Sequence, residues 1–282
     1  MKLVRRRMQA RLQKAVRNAE HGNPGCAKVV SRLGRAGLPV HRALNRIVAD
    51  SNCELKLRAF AARLLRDIGR DTFAFVPLLA EFIAAGDPKV TDLWDTVRWM
   101  SHRRHRLTRR EFEMLHSVLR TGTPEQRYWV VDQIAFFRGG RVRRALIEVL
   151  DDVTVPAYVR AWAAERLQVA RISQDTVSAC LRAIDDSDPE IRLWCVSTLG
   201  VAASYHLSFR DAVLPVIERM QSDDGEVPGW WPVRREAQEW VASLRGSPDD
   251  EERLQAEVQA ILNDPGASKE DKFWASGQDR SS

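Results

Sequence analysis

The sequence predicts an all-α protein, a right-handed α-solenoid (α-α superhelix) of about six helical hairpins. The first observation is a repeat of 32 to 35 residues, anchored on Arg58, Asp92, Arg127, Arg160 and Arg192. The second is that each period contains two amphipathic helical segments, with no strand-like alternation between them. Repeats that consist of helix pairs bury their apolar faces by stacking on one another.

Apolar residues keep the same register in every period. An aromatic residue stands two positions after each anchor: Phe60, Trp94, Trp129, Trp162 and Trp194. A large apolar residue stands seven positions after it: Leu65, Trp99, Ile134, Leu167 and Leu199. A sixth copy fits at Arg234, where Glu236 replaces the aromatic residue. Five aromatic residues in register indicate a repeat rather than coincidence.

The first helix of each hairpin is read from the apolar spacing that precedes each anchor. In chain order these segments are VHRALNRIVAD, FAFVPLLAEFIAAG, TRREFEMLHSVLRTG, RVRRALIEVLDD, SQDTVSACLRAIDD and FRDAVLPVIERM. Thr108 and Glu111 predict a capping box at the start of the third. Proline opens the second helix in four hairpins, where its missing N–H does no harm; these residues are Pro88, Pro124, Pro156 and Pro189.

The fifth second helix, PEIRLWCVSTLG, shows how each residue is expected to be used. Ile191, Cys195, Thr198 and Leu199 fall on one side, which predicts packing on the first helix of the same hairpin. Trp194 falls on the flank of this stripe, toward the next hairpin. Two interpretations stay open for the tryptophans: they fill the groove between hairpins, or they lie half-exposed on the inner wall as stacking platforms for a base or a peptide.

The segment DPEIRLWCVSTLG resembles the second-helix signature of HEAT repeats, particularly the short bacterial repeats of the phycobilisome-lyase type. The resemblance covers residues 37–246 and implies an armadillo-type solenoid that serves protein–protein interaction. It also implies that Asp188 pairs with Arg192. Arg127 and Arg160 lack the aspartate, and we expect them to bond carbonyls at the hairpin turns or to be free for a ligand. The large aromatic residue and Asp92 depart from the family pattern.

Three segments follow from these patterns: residues 1–36 as a basic N-terminal helical region, 37–246 as the repeat solenoid, and 247–282 as an acidic capping helix with a flexible tail. Ser247 and Pro248 suit a helix start. Leu254, Val258, Ile261 and Leu262 form an apolar face that could cap the last hairpin. Phe273 and Trp274 are the only large apolar residues of the tail. They could dock on a partner or pack on the protein's own fold.

Charge is distributed unevenly along the chain. The net charge is +6, but residues 1–50 carry +10 and residues 221–282 carry −7. Beyond the basic start, arginines cluster in RWMSHRRHRLTRR and RGGRVRR, which we expect to share one ridge. The candidate ridge residues are Arg98, Arg103, Arg104, Arg106, Arg109, Arg110, Arg138, Arg141, Arg143 and Arg144. Such a stripe is typical of sequence-independent phosphate contacts, or it is a solvated face that balances the acidic end.

Motifs for catalysis, cofactors and metals are almost absent from the sequence. It has no Gly-rich phosphate loop, no nucleophile elbow and no His/Cys ligand set. WDTVR, from Trp94 to Arg98, is similar to the catalytic segment of HEAT-like alkylpurine DNA glycosylases, but Arg98 replaces the essential carboxylate. Asp132 and Glu165 are alternative candidates for a catalytic carboxylate, but neither lies in such a motif. We therefore expect no enzyme activity, no cofactor and no metal.

The sequence thus favours a non-enzymatic scaffold or adaptor that binds a partner protein on the concave surface formed by the second helices. The alternative is a DNA- or RNA-binding solenoid that uses the arginine ridge. Four separated cysteines and the lack of a long apolar segment predict a cytoplasmic protein that does not associate with a membrane.

Overall fold

The computed structural model describes residues 40–67, 75–86, 97, 106–170, 172–246 and 248–278. These residues form thirteen helices and no strand. The chain divides into two compact units, residues 1–137 and 138–282. The predicted basic region 1–36 lies outside the described residues.

The first unit contains five described helices. They are α1 (Val40–Ala49), α2 (Leu55–Asp67), α3 (Phe75–Ala84), α4 (Arg109–Thr121) and α5 (Pro124–Ile134). Helix α1 packs on α2 and α4 packs on α5, which gives two hairpins. Helix α3 packs on helices of both hairpins. Val97, the one described residue between α3 and residue 106, is buried.

The second unit contains eight described helices. They are α6 (Gly140–Asp151), α7 (Ala157–Val169), α8 (Gln174–Ala183), α9 (Pro189–Tyr205), α10 (Leu207–Met220), α11 (Val233–Arg245), α12 (Pro248–Asn263) and α13 (Lys269–Gln278). Three hairpins form from α6 and α7, α8 and α9, and α10 and α11. The second helices α7, α9 and α11 pack side by side, and α6 packs on α8. Hairpins layered in this way confirm the predicted all-α solenoid.

The predicted core stripe of the fifth hairpin is confirmed. Ile191, Cys195, Thr198 and Leu199 are fully buried. The hydroxyl of Thr198 donates to the carbonyl of Ala164 on α7 at 2.8 Å, so this stripe also reaches the preceding second helix. A polar side chain is tolerated there because its hydrogen bond is made.

Local signals set several helix ends. The predicted capping box at the start of α4 is confirmed: Thr108 Oγ1 accepts from the Glu111 N–H at 3.2 Å, and the Thr108 N–H donates back to Glu111 at 2.9 Å. Pro124 and Pro189 open α5 and α9, as predicted. Pro156 instead takes the capping position before α7.

The C-terminal segment differs from the predicted flexible tail, because residues 269–278 form helix α13. Ser268 caps it by accepting from the Asp271 N–H at 2.9 Å. Trp274 is 1% exposed and packs with Val258 and Ile261 of α12. Burial of an indole removes enough apolar surface to hold a short helix that would be marginal alone. Helix α12 packs on α11, and its role as a cap of the last hairpin stays a prediction.

None of the described helices combines the length and the hydropathy that would let it cross a bilayer.

Candidate binding surface

The repeated arginines join successive hairpins in the second unit. Arg160 Nε donates to the Leu150 carbonyl of its own hairpin at 3.0 Å, and its Nη2 reaches Asp186 of the next hairpin at 2.7 Å. Arg192 likewise reaches forward to Asp223, with Nε···Oδ2 at 2.6 Å and Nη2···Oδ1 at 2.9 Å. Each arginine therefore connects one hairpin with the next.

In the first unit, the arginines at the repeat position make two kinds of contact. Arg58 donates to the Val48 carbonyl at 2.9 Å and forms an ion pair with Glu81 of α3. Arg127 binds backbone only, with Nε donating to the Gly122 carbonyl at 3.0 Å. The expectation that arginines without a preceding aspartate bond carbonyls is confirmed for Arg127 and, together with its ion pair, for Arg160.

The expected pair between Asp188 and Arg192 is wrong. The Asp188 carboxylate accepts from the Glu190 N–H at 2.9 Å and caps α9. The guanidinium of Arg192 instead binds Asp223, because the turn after α10 lies beside the start of α9. Burial alone would raise the pKa of Asp223, but hydrogen bonds from Arg192 and from the Gly225 N–H outweigh it, so this pKa lies below its ordinary value.

The tryptophans in the repeat register are neither core nor fully exposed. Trp129, Trp162 and Trp194 are all half-buried, and Trp94 lies outside the described residues. The Arg166 guanidinium lies 4.3 Å from the Trp162 ring centroid, within cation–π range. Trp194 contacts Trp230, in the loop before α11, at 4.9 Å between centroids. At Trp194 the flank position therefore faces the next hairpin, as predicted. All three tryptophans keep part of their surface in contact with water.

Four rings form a continuous line, here called the aromatic row. Trp194 meets Trp230 edge-on at 80°, Trp230 meets Trp231 at 5.5 Å and 82°, and Trp231 meets Phe273 of α13 at 5.8 Å. The sequence pattern singled out Trp194 and Phe273 separately, and it did not single out Trp230 or Trp231. The adjacent pair of tryptophans in a Gly- and Pro-containing loop was the available signal.

Glu236 accepts hydrogen bonds from two tryptophans, one of which, Trp231, belongs to the aromatic row. It occupies the register position that is aromatic in the other hairpins, and it is buried. Its two oxygens accept from the indole N–H groups of Trp231 and Trp240, each at 2.8 Å. Trp240 in turn packs directly on Gly200, where a Cβ would overlap the ring. In the sixth hairpin, the register position that is aromatic elsewhere thus holds a carboxylate, which orients two tryptophans.

Further apolar side chains are exposed on or beside the second helices of this unit. Tyr158 and Val169 lie on α7, on the face that carries Trp162, and they are 42% and 47% exposed. Tyr205, at the end of α9, is 80% exposed. Together with the half-buried tryptophans they form the second-helix surface, defined by Tyr158, Trp162, Val169, Trp194 and Tyr205.

The candidate basic residues fall in both units. Arg98, Arg103 and Arg104 lie outside the described residues. Arg106, Arg109 and Arg110 are exposed in the first unit, and Arg138, Arg141 and Arg144 are exposed in the second; none of these six forms an ion pair with another described residue. Arg143 is partly buried and lies 3.6 Å from Asp175. The single ridge stays a prediction, because the two sets belong to separate units.

Net charge differs sharply between the units. Residues 1–137 carry 26 Lys and Arg against 13 Asp and Glu, whereas residues 138–282 carry 18 against 25. The first unit is therefore strongly basic and the second is acidic. A surface on the second unit attracts cations, except near the exposed arginines at the start of α6.

The residues considered for catalysis or metal binding make ordinary structural contacts where they are described. Asp132 is buried and accepts from the Gln133 side-chain amide at 2.6 Å, and Glu165 pairs with Arg166 at 2.9 Å. Of the glycosylase-like segment Trp94–Arg98, only Val97 is described. Cys180 and Cys195 are buried on facing helices. Within the described part of the chain, no group of three or more acidic, histidine or cysteine side chains could hold a metal ion.

No family model and no curated protein matches the chain. Among solved structures, a chain from the complex in which Kap95p binds RanGDP is similar, with 13% identity and a TM-score of 0.43 over 95% of this chain and 32% of that one. An engineered protein is similar with 14% identity and a TM-score of 0.41, over 94% of this chain and 76% of that one. This chain spans about a third of the length of the first. Structural similarities at these TM-scores and identities say nothing about the partner or the activity of this chain.

Proposed function

We propose that this protein is a non-enzymatic repeat scaffold of the HEAT type that binds a partner protein through the second-helix surface of its second unit. The observation that carries the proposal is the register of half-buried tryptophans on α7 and α9, together with the exposed Tyr158, Val169 and Tyr205. Aromatic anchors with a polar surround are typical of the energetic centre of protein interfaces.

The fold supports this function physically. Stacked hairpins present the second helices in parallel, so side chains at equal register positions form rows along the solenoid. The arginine links between hairpins fix the spacing of those rows. A partner segment that crosses α7 and α9 would meet rigid aromatic side chains, which lose little conformational entropy on binding.

Site-specific photo-crosslinking tests the proposal. A photoreactive phenylalanine analogue replaces Val169 or Tyr205 in the full chain, and cells of the source organism are irradiated. We expect one discrete cross-linked species from both positions and none from the same analogue at Asp211, an exposed residue of the first helix α10. Equal cross-linking from all three positions, or none from Val169 and Tyr205, would contradict the proposal.

A second candidate function is sequence-independent binding of nucleic acid through the exposed arginines. It is favoured by six arginines that lack a described acidic partner, since unpaired guanidiniums suit phosphate. Neutralising Arg106, Arg109 and Arg110 to Gln should reduce affinity for random duplex DNA, and it should flatten the salt dependence by about 0.9 for each phosphate that is no longer neutralised. The control is Arg182→Gln, an exposed arginine that pairs with Asp151 at 2.6 Å. No binding at low salt would remove this candidate.

A further inference from the structure

The aromatic row presents ring surface to water from three separate elements. Trp194 comes from α9, Trp230 and Trp231 come from the loop before α11, and Phe273 comes from α13. The tryptophans are half-buried and Phe273 is 54% exposed, whereas the adjacent Trp274 is buried in the core of the C-terminal helices. Exposed aromatic faces that are held rigidly attract cations through the ring quadrupole.

A carboxylate lies at one end of this row. Glu190 precedes Trp194 by one helical turn and is half-buried. Burial, and then the charge of Asp188, raise the pKa of Glu190, while the neighbouring Trp194 side chain lowers it to a smaller extent. The carboxylate is therefore partly withdrawn from water without full compensation.

No cation within the described residues compensates Glu190. The nearest basic side chain in sequence is Arg192, whose guanidinium is occupied by Asp223 and by the carbonyls of Asp186 and Ser187. None of the ion pairs among the described residues includes Glu190. A cationic group of a ligand could pair with the Glu190 carboxylate and, in the same position, stack on the Trp194 ring.

The negative charge around the aromatic row favours a cationic ligand over an anionic one. Asp188 flanks Glu190, and the exposed Glu226 lies in the loop that carries Trp230. Residues 138–282 have an excess of seven acidic side chains. Phosphate groups would be repelled here, so base stacking by a nucleic acid is disfavoured on these tryptophans, and a guanidinium or ammonium group is favoured.

We propose that the aromatic row and the Glu190 carboxylate bind an arginine or lysine side chain presented by an extended segment of the partner protein. The aliphatic stem and the planar or tetrahedral cation lie against Trp194 and Trp230, and the charge pairs with Glu190. This inference rests on the proposed function, because it names the chemistry of the partner that the second unit recognises.

The test uses the full chain labelled with ¹⁵N at the tryptophan indoles, whose N–H resonances are assigned by single Trp→Phe variants. The probe is a peptide of about ten residues with arginine at alternate positions, separated by glycine and serine. We expect it to shift the Trp194 and Trp230 resonances. The matched probe carries citrulline, a neutral isostere, in place of arginine, and it should shift neither.

Glu190→Gln should weaken binding of the arginine peptide by about tenfold or more. The control variant, Asp211→Asn, removes one exposed acid from α10 and should leave the affinity within about twofold. Because Gln is nearly isosteric and removes a partly desolvated charge, Glu190→Gln is expected to fold. Unchanged circular dichroism and an unchanged melting curve for this variant show that weakened binding reflects the missing carboxylate.

Four results would overturn the inference: equal shifts with the citrulline peptide, unchanged affinity of Glu190→Gln, shifts of the same resonances by an oligothymidine, or self-association of the chain that Glu190→Gln abolishes. The third result would identify base stacking, and the fourth would identify a second copy as the occupant. If Val169 and Tyr205 still cross-link one partner in the Glu190→Gln chain, the scaffold function stands and only the cation site fails.

Discussion

Arg192, at the start of α9, binds both carboxylate oxygens of Asp223, which follows α10 of the next hairpin, at 2.6 and 2.9 Å. The same guanidinium donates to the carbonyl of Asp186 at 2.8 Å, so its donors are used on both sides of the hairpin boundary. Bidentate arginine–carboxylate pairs fix orientation as well as distance. The two residues thus set how the sixth hairpin stacks on the fifth.

Replacement of Arg192 by alanine should lower the free energy of unfolding by about 2 kcal/mol, because a largely buried carboxylate loses its partner. The control is Arg219→Ala. Arg219 also pairs with an aspartate of a neighbouring hairpin, Asp185, at 2.7 Å, but both side chains are more than half exposed. That pair should contribute less than about 1 kcal/mol. Urea denaturation measures both, and equal losses of stability would contradict the role assigned to Arg192.

Close packing between α9 and α11 depends on the absence of a side chain at Gly200. Gly200→Ala should destabilise the protein by about 1–3 kcal/mol, because the new methyl group must displace the Trp240 ring. Gly140→Ala is the matched control: it also lies in a helix, and its Cβ would meet nothing closer than Arg143 at 3.9 Å. Alanine there should be neutral or stabilising by up to about 1 kcal/mol. Thermal melts distinguish these outcomes.

The repeat, its two-helix units and the buried stripe could be predicted because they depend on local spacing. Ile191, Cys195 and Leu199 recur at positions that any stacked helix pair must bury. The partner of Arg192 could not be predicted in this way. Asp223 lies 31 residues away, in the one interval that is longer than the others, and only the three-dimensional stacking brings the two together.

Helix α13 was missed for a related reason. Residues 269–278 include Gly277 and several residues of moderate helix propensity, so a short isolated segment would not hold a helix. Its stability comes from tertiary contacts: Trp274 in the core and Asp271 bound to Arg235 at 2.8 Å. The aromatic row depends on the same docking, because Phe273 reaches Trp231 only when α13 is in place.

Acid should weaken the links between hairpins. Hydrogen bonds and nearby arginines hold the pKa values of Asp186, Asp223 and Asp271 below their ordinary range, although burial opposes this. A lowered pKa in the folded state adds stability that is complete above the unfolded value of about 3.9 and is lost as the pH falls through the folded value. The free energy of unfolding, measured from pH 7 downward, should therefore fall at acidic pH.

Asp223→Asn provides the control for this pH dependence. The variant should be less stable than the wild type at pH 7, and the difference should shrink as the pH falls, because the wild-type carboxylate is then protonated and no longer pairs as an anion. Parallel curves for the two proteins at all pH values would show that Asp223 does not contribute to the acid sensitivity.

Trp274 should decide whether the C-terminal helix stays docked. The indole is buried against Val258 and Ile261, and the Arg235 guanidinium lies 5.1 Å from its ring centroid. Trp274→Ala should cost about 3 kcal/mol or more locally, since it leaves a large cavity between α12 and α13. Amide hydrogen exchange in residues 269–278 should then become fast while α9 stays protected.

Phe273→Ala is the matched control for this prediction, because the two aromatic residues are adjacent and Phe273 is mostly outside the core. That variant should leave exchange in α13 slow. It should nevertheless weaken packing at the end of the aromatic row, since Trp231 loses its neighbour at 5.8 Å. If both variants release α13, the helix depends on the contact between Phe273 and Trp231 as well as on Trp274, and burial of Trp274 alone does not decide its docking. If neither does, the ion pair between Arg235 and Asp271 suffices to hold it.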